Sequence, residues 1–346
     1  MKGRRLVAVT ATFLAGNALG GLLTFPPLLY LALVAAFALT ALLTRRTAAV
    51  AAALLMLGAA GVQTGRMPGG NDGTTALKAG AALLKQEASD RIGALIPEGD
   101  ERAILKALTV GDRSEVSREL RNDFKASGAM HLLALSGLHV GILYKIISLM
   151  LFFIGGSRAM QRIRSLFTLA LLWCFAVVTG LGPSISRAAL MITIHEISGA
   201  INTERDGLTS LSAAALAITL FNPEAPRSVS FQLSFCACLA LFTLYPRLKG
   251  LLSTRSRLLT WCWNCMAVAI SCQLFTGPLS LLYFGTFPIF FMVTNLLTVP
   301  LTGAIMYLVV VAVITSPIPH AGELSATLLY KALQLLNTVV EIIGDI

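Results

Sequence analysis

The chain has 346 residues, 56% of them hydrophobic and 13% charged, with a formal net charge of +10 and a mean hydropathy of +0.77. That balance excludes a soluble globular domain and defines a polytopic membrane protein. Six cysteines give no disulfide framework, because Cys236, Cys238, Cys262, Cys265 and Cys272 lie inside apolar segments. Cys262-Trp-Asn-Cys265 has C-x-x-C spacing without a histidine pair or βαβ context, so core packing is its expected role.

In chain order, apolar runs of near-membrane length lie close to residues 6–23, 28–43, 48–64, 129–154, 166–181, 185–201, 208–221, 229–246, 258–283, 288–315 and 324–343, eleven candidate spans in all. The first follows Lys2, Arg4 and Arg5 as in a signal peptide. Pro26-Pro27 and a second apolar run come at once, so a retained hairpin is expected. Residues 1–65 are thus expected to form an N-terminal three-span unit, with Gly16 and Gly20 spaced for close helix approach, and 66–73 a flexible joint.

Residues 66–128 are expected to be an extracellular helical cap. Leu77, Ala81, Leu84, Ala88 and Leu95 line one side of an amphipathic helix over 74–95, expected to lie on the outer membrane surface or against the bundle. Two shorter helices follow at about 101–110 and 114–125, with Asp112 and Glu115 spaced as a capping box for the second. Residues 129–346 form the expected channel domain. There Gly180-Leu-Gly-Pro-Ser-Ile-Ser-Arg187, Gly277-Pro278 and 285–288 interrupt the apolar runs, as in helices that break where backbone lines a cavity.

The net charge does not by itself signal nucleic acid. Ten Lys/Arg and ten Asp/Glu share residues 65–128, so the large loop is neutral by count. The excess sits in short loops: Lys2, Arg4 and Arg5; Arg45 and Arg46; Arg158, Arg162 and Arg164; Arg247, Lys249, Arg255 and Arg257. With a cytoplasmic N-terminus all of these fall on the cytoplasmic side, as the positive-inside rule requires, which puts 66–128 and the C-terminus outside.

The chemistry concentrates in Gly128-Ala-Met-His-Leu-Leu-Ala-Leu-Ser-Gly-Leu-His-Val-Gly141. On an ideal helix His131, Ser136 and His139 share an arc of about 140°, with the imidazoles roughly 12 Å apart along the axis. One metal ion cannot bridge that distance unless Ser136-Gly137 breaks the helix, so no metal is expected. Ser136 and His139 at i and i+3 have the spacing of a nucleophile and its base, yet no carboxylate stands nearby to orient the base. The other readings are a polar path face and histidines satisfied by backbone or neighbouring helices. Arg187 lies just inside a span, where an unpartnered charge costs several kcal/mol. It either contacts an anionic substrate or pairs with a carboxylate. His195-Glu196 begins like a zinc-protease helix but has Gly199 at the second ligand position, and no G-x-x-x-x-G-K motif is present.

The 128–141 run resembles the signature of the ComEC-type competence proteins, inner-membrane channels for DNA uptake in transformable bacteria. Four further stretches agree in type and order: Ala107-Leu-Thr-Val-Gly-Asp112; Gly182-Pro-Ser-Ile-Ser-Arg187; Asn222-Pro223 with Ser230-Phe-Gln232-Leu-Ser234; and Asn295-Leu-Leu-Thr-Val-Pro300. The resemblance covers roughly residues 100–345. It implies that single-stranded DNA passes through the membrane along a path lined by His131, Ser136, Gly137, His139, Arg187, Gln232, Ser234 and Asn295. As partners it implies the lipid bilayer, a cytoplasmic helicase or DNA-binding protein, and a separate extracellular nuclease or DNA receptor. Family members typically add an OB-fold domain and a metallo-β-lactamase-like nuclease domain. Neither is recognisable here, so nuclease activity is expected to be absent from this chain.

The expectation is therefore an all-α polytopic bundle of about eleven spans with broken helices and a small cap, a channel rather than an enzyme, using no cofactor. The alternatives are an intramembrane hydrolase built on Ser136 and His139, or a transporter of a smaller anion. Phe231, Phe235, Tyr283, Phe284, Phe287, Phe290 and Phe291 are candidate stacking surfaces for bases, although aromatics at such spacing more often pack or face lipid.

Overall fold

A computed structural model describes residues 72–153, 157–200, 207–222, 224–252, 255–285 and 290–345. The expected three-span unit at 1–65 and most of the joint at 66–73 lie outside these residues. Two compact units are formed, one from 72–189 with 243–346 and one that includes 190–242. No strand occurs among the described residues, and the helices agree with the sequence pattern over most of their length.

In the larger unit, α1 (Asp72–Gly93), α2 (Asp100–Val110) and α3 (Arg118–Ala126) make up the cap segment. Gly111 ends α2 in the left-handed conformation at φ 68, where a Cβ would be strained and would meet the Leu135 Cδ1 atom at 2.5 Å. The expected capping box at Asp112 does not form. The Asp112 carboxylate instead accepts from the Ser89 hydroxyl at 2.6 Å and from the Ser114 N–H at 3.1 Å, tying α1 to the exit of α2. Ser117 caps α3, accepting from the Leu120 N–H at 3.1 Å. Lys106, 3% exposed, reaches Glu115 at 2.6 Å, and Lys85 donates to the Gly111 carbonyl at 2.9 Å.

The cap shares a core with the last two long helices of this unit. Residues 103–110 of α2 are buried without interruption, and its apolar side chains join Leu120 and Phe124 of α3 in one core. The same core takes Ile305, Val309 and Ala312 from α11 (Phe291–Thr315) and Leu329, Leu333, Leu336 and Val340 from α12 (Pro319–Gly344). On α12 those four recur at the i, i+4, i+7 spacing of a single helical stripe. At its far end a Cβ on Gly344 would come within 3.2 Å of the Asp123 carbonyl oxygen, so α12 abuts the backbone of α3 closely.

Between the cap and α12 run α4 (Gly137–Met150), α5 (Arg158–Val178), α6 (Pro183–Ala200), α7 (Gly207–Phe221), α8 (Val229–Thr243), α9 (Tyr245–Lys249) and α10 (Arg257–Phe284). Among the described residues four stretches are long and apolar enough to cross a membrane: Met160–Val178, Arg257–Phe284, Phe291–Thr315 and Pro319–Gly344. Gly137–Met150, Gly207–Thr219 and Val229–Thr243 are apolar but shorter. The break at 180–182 occurs as expected, with Gly180 at φ 85 and Leu181, unusually for a branched side chain, at φ 53. Gly285 ends α10 at φ 65. Gly277-Pro278 does not interrupt the chain as expected. Pro278 stays inside α10, because it removes one backbone donor without ending a helix whose other bonds remain.

Asp112 lies in the cap and carries a pH dependence. Burial raises its pKa, but hydrogen bonds from Ser89 and Ser114 and the nearby Lys85 ammonium outweigh it and hold the carboxyl below its usual 3.8. A carboxyl depressed in the folded state stabilises above its unfolded pKa, and that contribution is lost as pH falls through the folded value. The protection factors for amide exchange in α1 and α2, which divide out the slowing of the intrinsic rate in acid, are therefore expected to fall as pH drops from about 5 to about 3. In Asp112→Asn that part of the dependence should disappear; an unchanged profile in the variant would refute the assignment.

Candidate functional site

The segment expected to open a spanning helix at residue 129 is not helical before Gly137. His131, Ser136 and His139 therefore do not share a helix face, and the reason is tertiary. Gly128 takes φ 79, Ala129, Leu132 and Leu133 are drawn into the core, and two long-range bonds hold the backbone. Thr294 Oγ1 donates to the Ser127 carbonyl at 2.6 Å, and Arg113 Nε donates to the Leu133 carbonyl at 2.8 Å. A backbone pinned by such bonds cannot also close the i to i−4 ladder.

Ser136 is the N-cap of α4. Its hydroxyl lies 3.0 Å from His139 Nδ1, and its backbone N–H donates to the same nitrogen at 3.2 Å. A nitrogen that accepts an N–H carries no proton, so the hydrogen of the neutral ring is on Nε2. His139 is fully buried, and its Nε2 has no hydrogen-bond partner among the described residues. His131 instead stands exposed, its Nδ1 3.2 Å from the Gly128 carbonyl. No group of three or more His, Cys, Asp or Glu is arranged to hold a metal among the described residues.

The larger unit holds Arg187 and Asn295 as well as this segment. A Cβ on Gly137 would meet the Ala188 Cβ at 3.6 Å, so the starts of α4 and α6 adjoin beside Arg187. Arg187 is 5% exposed and donates from Nη2 to Ser184 Oγ at 3.1 Å. On α11, which packs against α4, Asn295 Oδ1 and Thr302 Oγ1 are buried with no partner among the described residues. Seven positions apart, these two share a face of α11 over about 10.5 Å. Buried polar atoms are almost always paired in proteins, so three such orphans on two packed helices mark a place for water or a polar ligand. Thr302 was not singled out in the sequence, where a threonine in an apolar run looks like ordinary back-bonding to the preceding turn.

Gln232 and Ser234 belong to the other unit, where Gln232 Nε2 donates to the Pro226 carbonyl at 3.1 Å. Of the aromatic candidates, Phe231 and Phe235 stack on each other at 4.0 Å, while Tyr283, Phe284 and Phe290 are exposed and Phe287 lies outside the described residues. All six cysteines are free.

An all-helical membrane protein with a non-helical segment, bearing a histidine and a serine, docked into its core is the class that fold and site define. Residues 108–346 match the competence protein family, and the chain belongs to that family. ComE operon protein 3 of Bacillus subtilis (strain 168) is 31% identical over 204 residues, which is 58% of this chain and 25% of that protein. The chain thus spans about a quarter of the length of that relative. No solved structure matches it.

Proposed function

We propose that the chain passes single-stranded DNA across the bacterial inner membrane during natural transformation. It does so as a bundle of about eleven spans with the N-terminus in the cytoplasm and the cap and C-terminus outside. The observation that carries this reading is the set of buried, unpartnered polar atoms on His139, Asn295 and Thr302, in a chain whose residues 108–346 match the competence protein family. His131, Ser136, Gly137, His139 and Arg187 line the path with Asn295. The driving force comes from a cytoplasmic helicase or DNA-binding protein, and strand degradation from a separate nuclease.

A hydrolytic reading draws on one contact, the 3.0 Å approach of Ser136 Oγ to His139 Nδ1. The same atoms also serve as a helix cap, and no carboxylate orients Nε2 among the described residues; a triad needs that third group. The two readings separate in one experiment, transformation frequency in cells shown to make each variant. Arg187→Ala is expected to lower transformation by roughly ten-fold or more, the loss of one charge-assisted contact. Ser136→Ala is expected to retain most of it. Wild-type transformation by Arg187→Ala would count against the DNA path, and complete loss with Ser136→Ala would favour the hydrolase.

A further inference from the structure

The cap is neutral by count but not by place. Its acids Glu87, Glu98 and Glu115 are paired with Arg91, Arg102 and Lys106, and Asp112 is occupied by Ser89. Arg118, Arg121 and Lys125 of α3 are all exposed, and none makes an ion pair among the described residues. On a helix these three positions fall within an arc of about 60° and along about 10.5 Å of axis. Asn122 lies beside them, and Glu119 and Asp123 occupy the flank. The opposite side carries Leu120 and Phe124, both buried in the core.

We propose that this face of α3 is a docking strip for the phosphates of a single DNA strand on its way to the path, an inference that rests on the function proposed above. Charge complementarity selects a polyanion, and the burial of Leu120 and Phe124 argues against a lipid surface. A helix that lies on a bilayer inserts its apolar face into the headgroup boundary, and α3 has already spent that face on protein. Cations that are exposed, unpaired and in a row exchange condensed counterions on binding, which makes the affinity depend steeply on salt. Aromatic stacking is not needed for such a strip, since it positions a strand without reading it.

The test is binding of a labelled oligothymidylate to the full chain in nanodiscs of zwitterionic lipid, with salt varied between about 50 and 200 mM. The variant is R118Q/R121Q/K125Q, which leaves Leu120 and Phe124 in place, and R247Q/K249Q/R255Q removes the same charge elsewhere. For three single-strand phosphate contacts the slope of log K against log salt is expected to become shallower by about 2 in the α3 variant and to change little in the control. Equal slopes in wild type and the α3 variant would overturn the proposal, as would a difference seen only with anionic vesicles and not with DNA. If the α3 variant binds and transforms normally while a His139 variant loses transformation, the strip fails and the path stands. If the wild-type chain does not hold the strand at any salt, both fall.

Discussion

His139→Asn is expected to reduce transformation by roughly ten- to hundred-fold, and His139→Gln by distinctly less, with both proteins accumulating normally. The two nitrogens of this fully buried ring have different surroundings. Nδ1 completes the cap with Ser136, and Nε2 points where no described protein group receives it. Asparagine places an acceptor close to the Nδ1 position and nothing at Nε2; glutamine does the reverse. If His139 serves only to cap α4, the asparagine variant is the milder of the two. If Nε2 donates to water or strand in the path, asparagine is the worse, because it deletes a contact worth about 1–3 kcal/mol, which converts to that fold-change. Transformation by the asparagine variant at wild-type frequency would end the path role for this residue.

Phe124→Ala is expected to be the most damaging single change to the fold. The side chain is fully buried, in a core that joins α2 and α3 to α11 and α12. Truncating a buried phenylalanine to alanine costs about 3–5 kcal/mol, from lost transfer energy and the cavity left behind. That is a large part of the 5–15 kcal/mol that holds a typical domain together. Phe124→Leu should recover most of the loss. A thermal melt of the solubilised protein, with hydrogen exchange in α2 and α3, reads the effect. A midpoint within error of wild type would show that the cap does not share a core with the spans.

The positions of the helices were legible because an apolar run bounded by Gly, Pro or Ser has few other ways to satisfy its backbone in lipid. The runs near 185–201, 208–221 and 324–343 become Pro183–Ala200, Gly207–Phe221 and Pro319–Gly344 with small shifts at the ends. Residues 129–136 were not legible. Their apolar pattern is helical, but the bonds that hold them in turns rather than a helix come from Thr294 and Arg113, 167 and 20 positions away from their acceptors. For the same reason the sequence left open whether the cap lies on the membrane surface or against the bundle. Nothing local says that an amphipathic α2 turns its apolar side to α12 rather than to lipid.

Sequence alone determined that this is an all-helical membrane protein, because composition and run length leave a bilayer no other solution. It also determined which short polar segment to suspect, because histidine, serine and arginine are costly there without a use. Only the tertiary structure decided that His139 and not His131 is the buried ring, that Thr302 joins Asn295, and that the charges of a neutral cap leave one helix face basic. Each depends on which groups find a partner across the fold, and partnering between distant segments is not encoded in any local window.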